Sequence, residues 1–77
     1  MLGSQLGSGL GSAFSDERLK TNIKRIGTHP VGVGVYEYDY IWGGGKQVGV
    51  MAQELEKVRP DAVFEVNGFK AVNYDRI

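Results

Sequence analysis

Few side chains in this sequence can do covalent chemistry. Cysteine is absent, which removes thiol nucleophiles, disulfides and thiolate metal sites together. The single histidine, His29, cannot build a metal centre alone. Gly43-Gly44-Gly45-Lys46 has neither the spacing of a phosphate-binding loop nor a following Ser or Thr. Ser15 and Lys20 put a hydroxyl and an amine five positions apart. Taken by themselves they read as a helix N-cap and a surface lysine, because serine commonly caps helices and Ser-x-x-x-x-Lys is a common spacing. Arg18, Lys20, Lys24 and Arg25 form a basic cluster that reads as a solvated face rather than a nucleic-acid patch. Gln53 and Glu54 likewise read as a solvated helix face.

The chain has 77 residues, room for one small domain. Such a chain buries a modest share of its surface, and without a disulfide or metal its expected stabiliser is a partner subunit. Lys plus Arg and Asp plus Glu number nine each, for a formal net charge of zero. No overall field steers it toward nucleic acid or an anionic membrane. No apolar run approaches the roughly 20 residues that span a bilayer, and the N-terminus lacks the pattern of a signal peptide. These features predict a protein made in the cytoplasm, with no membrane or nucleic-acid partner and no cofactor.

The elements that must position the polar groups follow from patterning. Residues 1–14 carry no charge and repeat Leu-Gly-Ser at Leu2, Leu6 and Leu10. They read as a linker or as a segment that docks on a partner; interior glycines make a free helix implausible there. From Ser15, with Asp16 and Glu17 suited to a first helical turn, a short turn or helix is expected to become extended by Ile23. Residues 27–30 are expected to break the chain. Alternation of Val, Tyr and Trp over residues 31–42 predicts a strand, with a phase flip at Val35/Tyr36 that implies a bulge or burial on both faces. Tyr36, Tyr38, Tyr40 and Trp42 read as core or interface. The glycine turn at residues 43–46 leads to a short strand over 47–50, giving a hairpin. A helix is predicted over 52–58, with Met51, Leu55 and Val58 on one face, and Arg59-Pro60 ends it. Asn67-Gly68 predicts a second hairpin between 62–66 and 69–74. The expected class is α+β: one small domain with two β-hairpins and a short helix, behind a Gly/Ser/Leu-rich N-terminal segment.

Three stretches carry a resemblance. SDERLK at residues 15–20, followed by Asn22-Ile23, resembles the SDxRLKxNI opening of the endosialidase-type intramolecular chaperone family. Residues 49–55, GVMAQEL, resemble its G-x-x-AQE-x segment. Gly68 and Val72-Asn73-Tyr74 resemble its closing hairpin. The resemblance runs from Ser15 to Ile77 with the motifs in order.

Family members sit at the C-terminal ends of trimeric phage tailspikes and tail fibres, help three chains assemble in register, and then cut themselves off. The resemblance therefore implies an auto-processing chaperone module over residues 15–77, lacking the family's C-terminal coiled-coil helix, with residues 1–14 ahead of it. It implies a homo-trimer, phage tail or fibre proteins as partners, and a place in the virion tail. It also implies an endopeptidase acting once on its own chain, with Ser15 as nucleophile and Lys20 as general base. The scissile bond is expected to adjoin Ser15, between Phe14 and Ser15 or between Ser15 and Asp16. A serine needs a neighbour to take its proton, and a lysine does so only with a lowered pKa, through burial or a cationic neighbour such as Arg18. Asp16 opposes that shift. A second reading is a non-cleaving virion component or adaptor whose N-terminal segment docks into a partner.

Overall fold

The computed structural model describes residues 12–77, so the linker or docking reading of residues 1–14 lies outside the described part except at Ser12–Phe14, which form a strand. The elements, in order, are β1 (Ser12–Phe14), a 3-10 turn (Glu17–Leu19), β2 (Lys20–Thr28), β3 (Gly34–Tyr40), β4 (Lys46–Gly49) and α1 (Ala52–Leu55). A second 3-10 turn (Pro60–Ala62), β5 (Val63–Val66), β6 (Phe69–Asn73) and a third 3-10 turn (Tyr74–Arg76) complete them. They form two three-stranded antiparallel sheets, β2-β3-β4 and β1-β6-β5. The described part is thus mostly β with one short helix, and the α+β expectation holds in that coarse sense.

Both expected hairpins are present. Asn67 and Gly68 both have positive φ, 53° and 84°, as a two-residue turn matching the strand twist requires, and Val66 pairs with Phe69 across it. Gly43, Gly44 and Gly45 also have positive φ, a run that only glycine adopts without strain.

Three local expectations are corrected. The short turn does lead into extended chain, but the strand runs on from Lys20 through Thr28, so the break expected at residues 27–30 comes later: Gly27 and Thr28 pair with Val35 and Gly34. The chain reverses at residues 29–33, where the His29 amide donates to Val33 O at 2.7 Å and the Gly32 amide to His29 O at 2.8 Å. The α-helix is a single turn, because after Leu55 the chain tightens and Val58 ends exposed. The irregularity expected at Val35/Tyr36 lies opposite that junction: Arg25 pairs with Tyr36 and Gly27 with Val35, leaving Ile26 as the extra residue. A second shift sets Asn22 and Ile23 against Tyr38, and Asn22 has a φ of 54°.

A core of Val33, Val50, Ala52, Leu55, Ala62 and Val72 packs α1 against β6, with Val31, Val63, Tyr74 and Ile77 around it. Tyr38, almost fully buried, is the largest side chain closed off from solvent among the described residues. Between the two sheets, beside this core, lie the end of β1, the start of β2 and the β4–α1 link.

Candidate active site

Among the described residues three polar side chains are buried: Ser15, Asp16 and Lys20. All belong to the opening motif, and three elements bring them together. Ser15 follows the last residue of β1, and its amide donates to Lys70 O on β6 at 3.1 Å. Its own carbonyl accepts from the Ala52 amide at the start of α1, at 2.9 Å. Lys20 opens β2, paired with Tyr40 of β3. The one-turn 3-10 helix between them folds the chain back, so side chains five residues apart meet.

The Ser15 Oγ donates to Val50 O at 2.5 Å. Lys20 Nζ lies 3.0 Å from Ser15 Oγ and 2.8 Å from Val50 O, donating to both. It also sits 3.9 Å from the centre of the Tyr38 ring. Burial lowers the Lys20 pKa from 10.5 to about 7, against the pull of the Asp16 and Glu17 carboxylates, which favour the charged form. The opposition expected from Asp16 is therefore present, and desolvation outweighs it. Arg18 is not the cause of the shift, since its guanidinium is turned to Asp16.

Asp16, not Ser15, is the N-cap of the 3-10 turn. Its carboxylate accepts from Arg18 Nε at 3.0 Å and Arg18 NH2 at 2.7 Å, and from the Arg18 and Lys70 amides at 2.9 Å each. Gln53 Nε2 adds a further bond at 2.7 Å. The Arg18 guanidinium foremost, with the two amides and Gln53, holds the carboxyl far below the usual carboxylate range despite its burial. Arg18 NH2 also donates to Gly68 O at 2.9 Å, and the guanidinium lies over the Phe69 ring. The opening motif is thereby tied to the closing hairpin.

Gln53 and Glu54 do not form a solvated face. Gln53 Oε1 accepts the Glu17 amide at 2.9 Å. Glu54 accepts from Tyr36 OH at 2.5 Å and from the Gly34 amide at 3.4 Å. Gly49 is needed for close approach, because a Cβ there would stand 2.7 Å from Tyr74 OH and 3.3 Å from Tyr38 OH. Tyr74 OH in turn accepts the Val50 amide at 3.2 Å, which fixes the residue whose carbonyl receives both Ser15 and Lys20. Sequence reasoning passed over Val50 and Tyr74 because their part is played by backbone groups and by a contact 24 residues away.

Of the bonds flanking Ser15, the Phe14–Ser15 peptide has its carbonyl oxygen 2.6 Å from Tyr40 OH, which donates to it. Among the aromatics, Tyr38 is core, Tyr36 and Tyr40 are half-buried, and Trp42 is exposed but stacks on Tyr40 with centroids 4.5 Å apart. Among the described residues no cluster of three or more His, Asp or Glu could hold a metal. No helix among them is long and apolar enough to cross a membrane.

Chemically, the arrangement offers a hydroxyl and an amine in contact, screened from water, with the amine near neutral at physiological pH. With Lys20 charged, Nζ donates to Ser15 Oγ and the hydroxyl proton goes to Val50 O. Once the amine loses its proton, the hydroxyl can rotate to donate to Nζ while an Nζ–H keeps the Val50 carbonyl. The site can therefore draw a proton from Ser15.

The family model described as chaperone of endosialidase matches residues 15–64, from the buried serine into β5. Comparison with curated proteins and with solved structures gives no match.

Proposed function

Because the chain belongs to the chaperone of endosialidase family, we propose that it acts as an intramolecular chaperone module of phage tail fibres or tailspikes, promotes assembly of three chains, and cuts its own chain beside Ser15. The observation that carries this reading is the buried Ser15–Lys20 pair, 3.0 Å apart with the lysine pKa near 7. An N-cap serine and a surface lysine would not be closed off from solvent in this way. Burying a lysine opposes folding, and a buried, pKa-shifted group of this kind is characteristic of functional sites.

The cut falls between Phe14 and Ser15. Attack by Oγ on the carbon of Phe14 closes a five-membered ring, whereas attack on the carbonyl of Ser15 itself would close a four-membered one. Neutral Lys20 takes the hydroxyl proton as the Oγ–C bond forms. The C–N bond then breaks as the Ser15 nitrogen receives that proton, leaving an ester between Phe14 and Ser15 Oγ. One water hydrolyses the ester: Lys20 accepts its proton, the hydroxide adds to the carbon, and Oγ leaves with the proton returned. The products are a Phe14 carboxylate and a Ser15 amine, separating residues 1–14 from the module at 15–77.

Trimeric β-rich fibres contain many non-local contacts and form slowly. A self-associating module raises the effective concentration of the chains and sets their register, and cutting it away afterward closes the route back. Native mass spectrometry of Ser15→Ala, which stays whole, tests the assembly part. Three chains per particle are expected, and a monomer at every concentration would overturn it.

A further inference from the structure

The Phe14–Ser15 peptide is held at both ends by different sheets. It is trans, so its N–H and C=O point in opposite directions. The N–H donates to Lys70 O on β6 at 3.1 Å. The carbonyl, turned away from that ladder, accepts from Tyr40 OH on β3 at 2.6 Å. The Tyr40 oxygen in turn accepts from Tyr38 OH at 3.3 Å, so two hydroxyls are chained toward one carbonyl oxygen. Tyr38 is buried by the core and Tyr40 is stacked on Trp42, which fixes both rings. Burial raises both phenol pKa values, Tyr40 against an opposing pull from the Tyr38 hydrogen bond, so both remain donors across the pH range in which Lys20 titrates.

We propose that Tyr40 is a catalytic residue of the self-cleavage, the donor that stabilises the oxyanion on Phe14 when Ser15 attacks. This rests on the cleavage reading above. As Oγ bonds to the Phe14 carbon, the carbonyl electron pair moves onto the oxygen that Tyr40 already holds, and it returns when the C–N bond breaks. The same donor serves the second addition, when water attacks the ester. Tyr40 gives up no proton in either step; it strengthens an existing hydrogen bond as charge develops, in a site where such a bond counts for more than in water. Its carbonyl partner is also polarised before the attack begins.

The test is Tyr40→Phe in the full chain, which keeps both ring contacts and removes the hydroxyl that donates to Phe14 O and accepts from Tyr38. Cleavage is expected to slow by about 100-fold or more, the usual loss for one oxyanion donor, with the rate still rising through the Lys20 titration near pH 7. Isotope-edited infrared spectroscopy of carbon-13-labelled Phe14 in the uncut Ser15→Ala chain gives a readout that does not depend on cleavage. The carbonyl band is expected to move to higher frequency when Tyr40→Phe is added. A wild type that cuts and a Tyr40→Phe chain that cuts within about threefold of it would overturn the Tyr40 assignment alone, as would an unmoved band. A wild type that never cuts would overturn the cleavage reading, and the Tyr40 assignment with it.

Discussion

The side chain of Gln53 reaches across from α1 to donate to the carboxylate of Asp16 at 2.7 Å, while its carbonyl accepts the Glu17 amide at 2.9 Å. One carboxamide thereby joins the AQE stretch to the opening motif and holds the turn that carries Ser15 toward Lys20. Removing it returns the exposed Glu17 amide to water and takes from the buried Asp16 Oδ1 one of its three donors, leaving the Arg18 amide and Nε. Gln53→Ala is expected to lower stability by about 1–3 kcal/mol, read as a shift of the urea midpoint in the Ser15→Ala background. It is also expected to slow cleavage, because the turn loses its brace.

Asp16 makes the chain sensitive to acid. Its folded pKa lies below its ordinary value of 3.8, so the ionised form stabilises the fold. That contribution is complete above about pH 4 and is lost as pH falls below it. Asp16→Asn is expected to lower stability at pH 7 by about 2–4 kcal/mol. It should also flatten the acid limb of a stability profile measured from pH 6 down to pH 2.

Lys20 has the opposite effect on stability. Its pKa falls from 10.5 to about 7 on folding. Between those values the unfolded chain binds more protons, so stability rises with pH across that window and the cost is fully present below pH 7. Lys20→Met, added to Ser15→Ala, is expected to remove this slope and to raise stability at pH 6 by about 1–3 kcal/mol. Urea titrations at pH 6 and pH 9 measure both effects. A lysine lying free in solvent would give no such slope.

Gly49→Ala would bring a methyl group to 2.7 Å from Tyr74 OH, so that hydroxyl must move away from the Val50 amide. A loss of about 1–3 kcal/mol is expected from overpacking. Because Val50 O is the acceptor shared by Ser15 and Lys20, slower cleavage should accompany it. Thermal melts and cleavage time courses on the same variant check the two together.

How far the sequence reveals this arrangement depends on where each signal is local. The Asn67-Gly68 turn and the glycine run at residues 43–45 are legible because positive φ restricts residue type at the position itself. The motifs single out Ser15 and Lys20, whose side chains meet in the fold, yet the full length of β2 is hidden. Its two bulges put Ile23 and Ile26 three apart on a strand, a spacing that imitates a helix, and both side chains end exposed. The meeting of Ser15 with Val50, of Gln53 with Asp16 and of Tyr40 with Phe14 depends on the closure of two sheets. No local pattern encodes those contacts. Asp16 is the instructive case: acidic residues after a serine suggest a first helical turn with Ser15 as cap, but the carboxylate caps the turn itself, leaving the hydroxyl free to face inward.

Self-cleavage at Ser15 is read from the intact mass of the purified wild-type chain, followed over time from pH 5 to pH 9, beside Ser15→Ala and Lys20→Ala. A fragment beginning at Ser15 is expected in wild type alone, forming about tenfold faster per pH unit below pH 7 and levelling above it, as a base with that pKa dictates. A wild-type chain that stays whole across this range, or one that is cut as fast in Ser15→Ala, would contradict it and favour a structural virion component that keeps its N-terminal segment.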